Sequence, residues 1–109
     1  MRYLLLIGVD EEVADSGLAD AERWVRTMTE RGVRTTGGRL RGPKSATTVR
    51  VSDDGDVLLS DGPFAETKEE ILGFDLLECA DLDEAIAVAA AHPAARLGAV
   101  EVRPLWDPS

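Results

Sequence analysis

Asp61, Glu66, Lys68, Glu69 and Glu70 fall within a ten-residue stretch, four carboxylates around one ammonium. Such a cluster offers proton acceptors beside a cation. Lys68 would pair a carboxylated ligand, and Asp61 or Glu66 would take a proton from it. The blander reading is that Asp61 and Thr67 bond the loop backbone while Pro63 and Phe64 pin a turn to the core. His92 is the sole imidazole, the one side chain whose ordinary pKa lies near neutrality. It falls at the end of a predicted helix, where the dipole favours the charged ring and would alone account for it. His92 and Asp61 are therefore the candidate catalytic residues. Phe64, Glu66, Thr67, Lys68 and Arg103 are the candidate ligand contacts, because an arginine on a strand can carry its guanidinium to an anionic ligand. Arg50 has the same option, and pairing of Arg103 with Glu101 is the plainer alternative.

Other chemistries find little support. Cys79 is the only cysteine, which excludes an internal disulfide and a thiolate-rich zinc site. Glu78 and Asp81 beside it oppose thiolate formation, so Cys79 reads as a small core or edge residue. One histidine among scattered acids does not make a metal site, and neither a metal nor another cofactor is expected. Gly37-Gly38 lies too far from a helix start to cradle phosphate. The formal net charge of −9 is spread along the chain, and such a surface repels phosphate backbones, so nucleic acid is not an expected partner. Arg31, Arg34, Arg39, Arg41 and Arg50 would form one basic patch or, more plainly, balance neighbouring acids. The apolar run Tyr3 to Val9 is too short to span a bilayer and only Arg2 precedes it, so the expectation is a cytoplasmic protein with no membrane partner.

These side chains need a scaffold, and 109 residues with 44% hydrophobic and 30% charged residues make one globular domain. Tyr3 to Val9 reads as a strand with both faces apolar. An acidic turn, Asp10 to Ser16, leads to a helix on which Leu18, Ala21, Val25 and Met28 recur at helical spacing, with Trp24 beside them, a Glu22–Arg26 pair, and Gly32 closing it. Trp24 and Met28 read as core. Val33 to Leu40 predicts a second strand, and Thr47 to Val51 a third. Asp53-Asp54-Gly55-Asp56 predicts a hairpin returning through Val57-Leu58-Leu59, an exposed ribbon. Gly62 and Pro63 turn the chain toward a strand over Ile71 to Leu77, with Gly73 at a bulge or close backbone approach. Asp81 and Glu84 have capping-box spacing. They open a helix from Leu82 to Ala91 with Leu82, Ile86 and Ala89 on one stripe, and Val100 to Pro104 closes the chain as a strand.

That order suits a ferredoxin-like, split βαβ arrangement: an antiparallel sheet with two helices on one face. A first strand apolar on both sides needs a cover on the second face. A second copy packed sheet to sheet is the least elaborate cover, and it would bury about 800 Å² per partner in a typical interface.

The residues Asp61-Gly62-Pro63-Phe64-Ala65-Glu66-Thr67-Lys68-Glu69 resemble the signature of the DGPF-containing branch of the YCII-related proteins. The resemblance extends to Tyr3–Ile7, Ala46–Arg50, His92–Arg96 and Val100–Pro104. It implies a ferredoxin-like fold forming a dimeric α/β barrel, no assigned reaction, and for some members an association with extracytoplasmic-function sigma factors. Some members of the wider group carry a histidine on the first helix and an aspartate just before the proline that ends the second. Here the pre-proline residue is His92 and the first-helix position falls near Asp20, Ala21 or Glu22, so the resemblance implies at most a reversed pair of His92 with Asp20 or Glu22. The expected function is binding of a small polar or anionic molecule in a cavity of a homodimer. The alternatives are general acid/base catalysis by His92 or a loop carboxylate, or a protein-interaction module.

Overall fold

The computed structural model describes residues 1–65 and 69–106. Strand β1 (Arg2–Val9) is followed by helices α1 (Glu11–Ala14) and α2 (Leu18–Glu30), then β2 (Arg34–Arg39), β3 (Thr47–Val51), β4 (Val57–Asp61) and β5 (Glu70–Glu78). Helices α3 (Leu82–Ala90) and α4 (Ala94–Leu97) and strand β6 (Ala99–Pro104) complete it. The main sheet has the order β2-β5-β1-β6 with every neighbouring pair antiparallel. Its strands thus form the two interleaved βαβ units of a ferredoxin-like fold. β3 and β4 form a separate two-stranded ribbon. No helix among the described residues is long and apolar enough to cross a membrane.

The two-residue alternation of a strand sorts β1 into two apolar rows. Tyr3, Leu5, Ile7 and Val9 are buried toward the helices with Leu77 and Leu72 of β5. Leu4 and Leu6 stand opposite Leu76 and Phe74 in register and are only half-buried. They belong to the outer face, which no helix covers. The register slips between Ile7 and Gly8, leaving Leu72 as the extra residue of a bulge. Gly73 sits next to it, where a Cβ would come within 3.2 Å of the Gly38 carbonyl. Close approach therefore explains that glycine.

Three segments depart from the sequence reading. Asp10 to Ser16 is largely helical, because the Asp10 side chain caps α1 by accepting from the Glu12 amide at 2.9 Å. On α3 the buried residues are Ala85, Val88 and Ala89, whereas Leu82 and Ile86 are about half exposed. The small residues let the helix lie close on the sheet and turn the larger side chains outward. A further turn, α4, continues beyond Pro93, since proline is well accommodated at a helix start. On α2 the ion pair joins Arg23 to Asp20 at 3.2 Å instead of Glu22 to Arg26. The cap at α3 is a variant of the expected box: Asp81 accepts from the Glu84 amide at 2.9 Å, and Glu84 accepts from the Ala80 amide at 3.1 Å.

The ribbon stands apart from the core. Val49, Val51, Val57, Leu58 and Leu59 are exposed on it, Leu59 to 68%. Its base is tied by the Gly62 amide bonding the Ala46 carbonyl and by Thr48 Oγ1 donating to the Gly62 carbonyl at 2.7 Å. Gly62 has φ +94°, a backbone conformation glycine adopts without strain.

Candidate functional site

A cavity of about 330 Å³ opens between α2, the inner face of the sheet and the segment from His92 to Leu97. Its walls are mostly apolar: Ile7, Val9 and Leu72 from the sheet, Val25 from α2, Leu97 from α4. Arg34, Arg39, Asp75, Glu22 and His92 interrupt that lining. Volume and lining are those of an ordinary small-molecule pocket.

Asp75 lies at the middle of β5, opposite Leu5 on β1 and Gly37 on β2. Leu5 is buried on the helix side of β1, so the register places Asp75 on that side as well. Its Oδ1 accepts from Arg34 Nε at 2.7 Å, and the two side chains are 7% and 14% exposed. Burial pushes the Asp75 carboxyl up from its ordinary range, against the hydrogen bond and charge of Arg34. Gly37 makes the pair fit. A Cβ there would lie within 2.7 Å of the Arg34 guanidinium, the Asp75 carboxylate and the Phe74 carbonyl.

His92 follows α3 and precedes Pro93, and it is buried. Its Nδ1 accepts from the Ala94 amide at 3.0 Å, which fixes the neutral ring as the tautomer with the proton on Nε2. Burial lowers its pKa to about 4. The dipole expectation of a charged ring is thus overturned, because desolvation outweighs the helix end. At neutral pH the ring can donate a hydrogen bond from Nε2. Trp24 packs edge to face on it at 4.7 Å and donates from Nε1 to the Val88 carbonyl at 2.9 Å.

The other sequence candidates lie elsewhere. Asp61 ends β4, paired in register with Thr47 and exposed, and does not line this cavity. Phe64 is 82% exposed and borders a shallow hollow on the ribbon with Arg50 and Pro63. Glu66, Thr67 and Lys68 lie outside the described residues. Arg103 is opposite Leu4, on the outer face of the sheet, and bonds Glu101 at 3.1 Å. The structure therefore brings His92 into the cavity but not Asp61, Phe64 or Arg103. Of the two acids considered against His92, Glu22 lines the same cavity, and Asp20 is engaged with Arg23. Of the five arginines, two balance neighbouring acids: Arg34 is held by Asp75 and Arg39 bonds Asp15 at 2.9 Å. Cys79 is buried, and desolvation, with Glu84 and Glu78 nearby, pushes its thiol pKa up. Among the described residues no three His, Cys, Asp or Glu side chains converge to hold a metal ion.

Sequence reasoning passed over Asp75 and treated Arg34 only as surface charge. The signal was present. Asp75 is the only charged residue in the apolar run Ile71 to Leu77, and a charge in a buried strand requires a partner.

Comparison with known proteins agrees with this architecture. An uncharacterised protein of Rhizobium meliloti strain 1021 is 38% identical over 117 residues, covering 96% of this chain and 92% of that protein. The solved structure of 5-chloro-2-hydroxyhydroquinone dehydrochlorinase (TftG) from Burkholderia phenoliruptrix, in complex with 2,5-dihydroxybenzoquinone, has the same fold. Its TM-score is 0.56 at 13% identity, over 100% of this chain and 96% of that one. The family model for the YCII-related domain matches residues 1–109. From its first residue to its last, the chain belongs to the YCII-related domain family.

Proposed function

We propose that this protein binds a small, ring-sized molecule bearing oxygen substituents in the cavity between α2 and the sheet, and that it does so as a homodimer. The observation that carries the reading is the cavity itself: about 330 Å³ of largely apolar space into which Arg34, Asp75 and His92 converge. Apolar walls supply affinity by removing ligand surface from water, and a few fixed polar groups supply orientation. The fold neighbour holds 2,5-dihydroxybenzoquinone, a compound that a cavity of this volume would admit.

The uncovered outer row of Leu4, Leu6, Phe74 and Leu76 and the exposed apolar ribbon support the dimer. A second copy covers both with an isologous contact. Arg103, opposite Leu4 on that outer face, would then approach the subunit boundary. A sigma-factor partner is not part of this reading, since neither the fold nor the relatives supply an observation for it.

Titration of isotope-labelled protein with 2,5-dihydroxybenzoquinone, followed by amide chemical shifts, tests the binding site. Shifts should centre on residues 72–75 and 92–97. Shifts confined to the ribbon, or none at millimolar ligand, would remove the cavity from consideration.

A further inference from the structure

Two of the polar groups that line the cavity, Asp75 and His92, have opposite hydrogen-bonding senses, and each has one atom engaged and one open. Asp75 Oδ1 is taken by Arg34. Oδ2 has no hydrogen-bond partner among the described residues, yet it is not among the buried atoms sealed without one. As a carboxylate oxygen it accepts. His92 Nδ1 is taken by the Ala94 amide. Nε2 is likewise unpartnered among the described residues and unsealed, and in the fixed tautomer it donates. Both side chains line the same cavity. A group so placed is satisfied by water or by a ligand, and a ligand that cannot satisfy it incurs the cost of a buried, unmade bond.

We propose that the cavity selects hydroxylated carbonyl compounds, the ligand's hydroxyl donating to Asp75 Oδ2 and its carbonyl oxygen accepting from His92 Nε2. The inference rests on the ring-binding reading above and adds the polarity of the ligand to it. Arg34 contributes by holding the Asp75 carboxylate in one orientation, and Gly37 contributes by leaving room for the pair. A simple anion could accept from His92 Nε2 but brings no donor for Asp75, whose charge repels it.

Three probes of one ring size separate the terms: 4-hydroxyacetophenone carries both groups, 4-ethylphenol the hydroxyl alone, acetophenone the carbonyl alone. Wild-type protein should bind the first about tenfold or more tightly than either of the others, since a hydrogen bond to a charged or buried partner is worth at least that factor. Asp75→Asn presents an amide N–H₂ to the cavity while its oxygen can still accept from Arg34. It should weaken 4-ethylphenol by about tenfold and leave acetophenone unchanged or tighter. His92→Phe keeps a ring against Trp24 and should weaken only the two ketones. Circular dichroism confirms that each variant is folded. If Asp75→Asn does not fold, nuclear Overhauser contacts in the wild type decide the point, because the acetyl methyl of 4-hydroxyacetophenone should lie near the His92 ring and the phenol edge near Asp75. Equal binding of all three probes, an equal loss of both single-function probes on Asp75→Asn, or the reversed orientation would overturn the proposal while sparing the cavity. Failure of every probe to perturb cavity residues would remove the ring-binding reading and this inference with it.

Discussion

Trp24 meets His92 edge to face, with ring centroids 4.7 Å apart and planes inclined by 69°. The contact joins the first long helix to the turn that leaves α3. It also shields one flank of the only imidazole in the chain. The indole is anchored in turn by its bond to the Val88 carbonyl, so the position of His92 depends on three elements at once.

Removing that anchor should be measurable. Trp24→Phe leaves the Val88 carbonyl without its donor and opens space beside His92. Together these should cost about 2–4 kcal/mol in urea denaturation. Water admitted to the ring should also move the His92 pKa back toward 6.5 from about 4, which an NMR titration of the ring protons would show. A destabilised variant with an unmoved titration would mean that Trp24 does not desolvate the histidine.

The depressed His92 pKa has a definite consequence for stability. In the folded chain the ring stays neutral down to about pH 4, whereas unfolded it titrates near 6.5. Between those values the unfolded chain binds more protons. The contribution of His92 is therefore complete above pH 6.5 and lost as pH falls toward 4, up to roughly 3 kcal/mol. Unfolding free energies measured from pH 7.5 to 4 should diverge from those of His92→Phe across this window. Parallel curves would contradict the buried neutral ring.

Much of this arrangement can be read from the sequence, and the exceptions have physical causes. The alternating register of β1 is hidden because Leu4 and Leu6 are as apolar as Leu5 and Ile7, so composition shows two oily faces without saying which meets the helices. On α3 the large side chains Leu82 and Ile86 suggest the buried stripe, but the close approach of helix and sheet selects Ala85, Val88 and Ala89. Burial sets the charge state of His92, and the ring packs against a tryptophan 68 positions earlier in the chain, whereas local reading sees only the helix end. The signature around Asp61 stands out as sequence, yet the described cavity is built from residues that no short motif joins: Arg34, Asp75 and His92.

Arg34 and Asp75 should behave as a unit. Replacing either alone by leucine leaves a buried charge without its partner and should cost about 3–5 kcal/mol. The double replacement removes both charges and should cost clearly less than the sum of the singles. A double-mutant cycle on denaturant unfolding gives the coupling directly. Additive losses would mean that each side chain is stabilised by something other than the other, despite the 2.7 Å bond. Gly37→Ala offers an independent check. It crowds the same pair and should cost about 1–3 kcal/mol without altering any charge.

The outer face of the sheet gives the last expectation. Leu76 stands opposite Leu4 there, in a row that α2 and α3 leave uncovered. If a second copy closes this face, Leu76→Arg places a cation at the centre of an apolar contact, and its guanidinium would have to be buried without a carboxylate arranged to meet it. The same substitution is far less costly for a solitary chain, in which the side chain points into water. Sedimentation velocity at micromolar concentration should therefore show a dimer for the wild type and a folded monomer for Leu76→Arg. Leu59→Glu on the ribbon should weaken the dimer as well, since Leu59 is too exposed to support the fold within its own chain. A wild type that sediments as a stable monomer would leave the outer row without an occupant and withdraw the dimer from the proposed function. The lining of the cavity between α2 and the sheet comes from one chain, so ring binding by Leu76→Arg then reports whether the ligand site needs the partner at all.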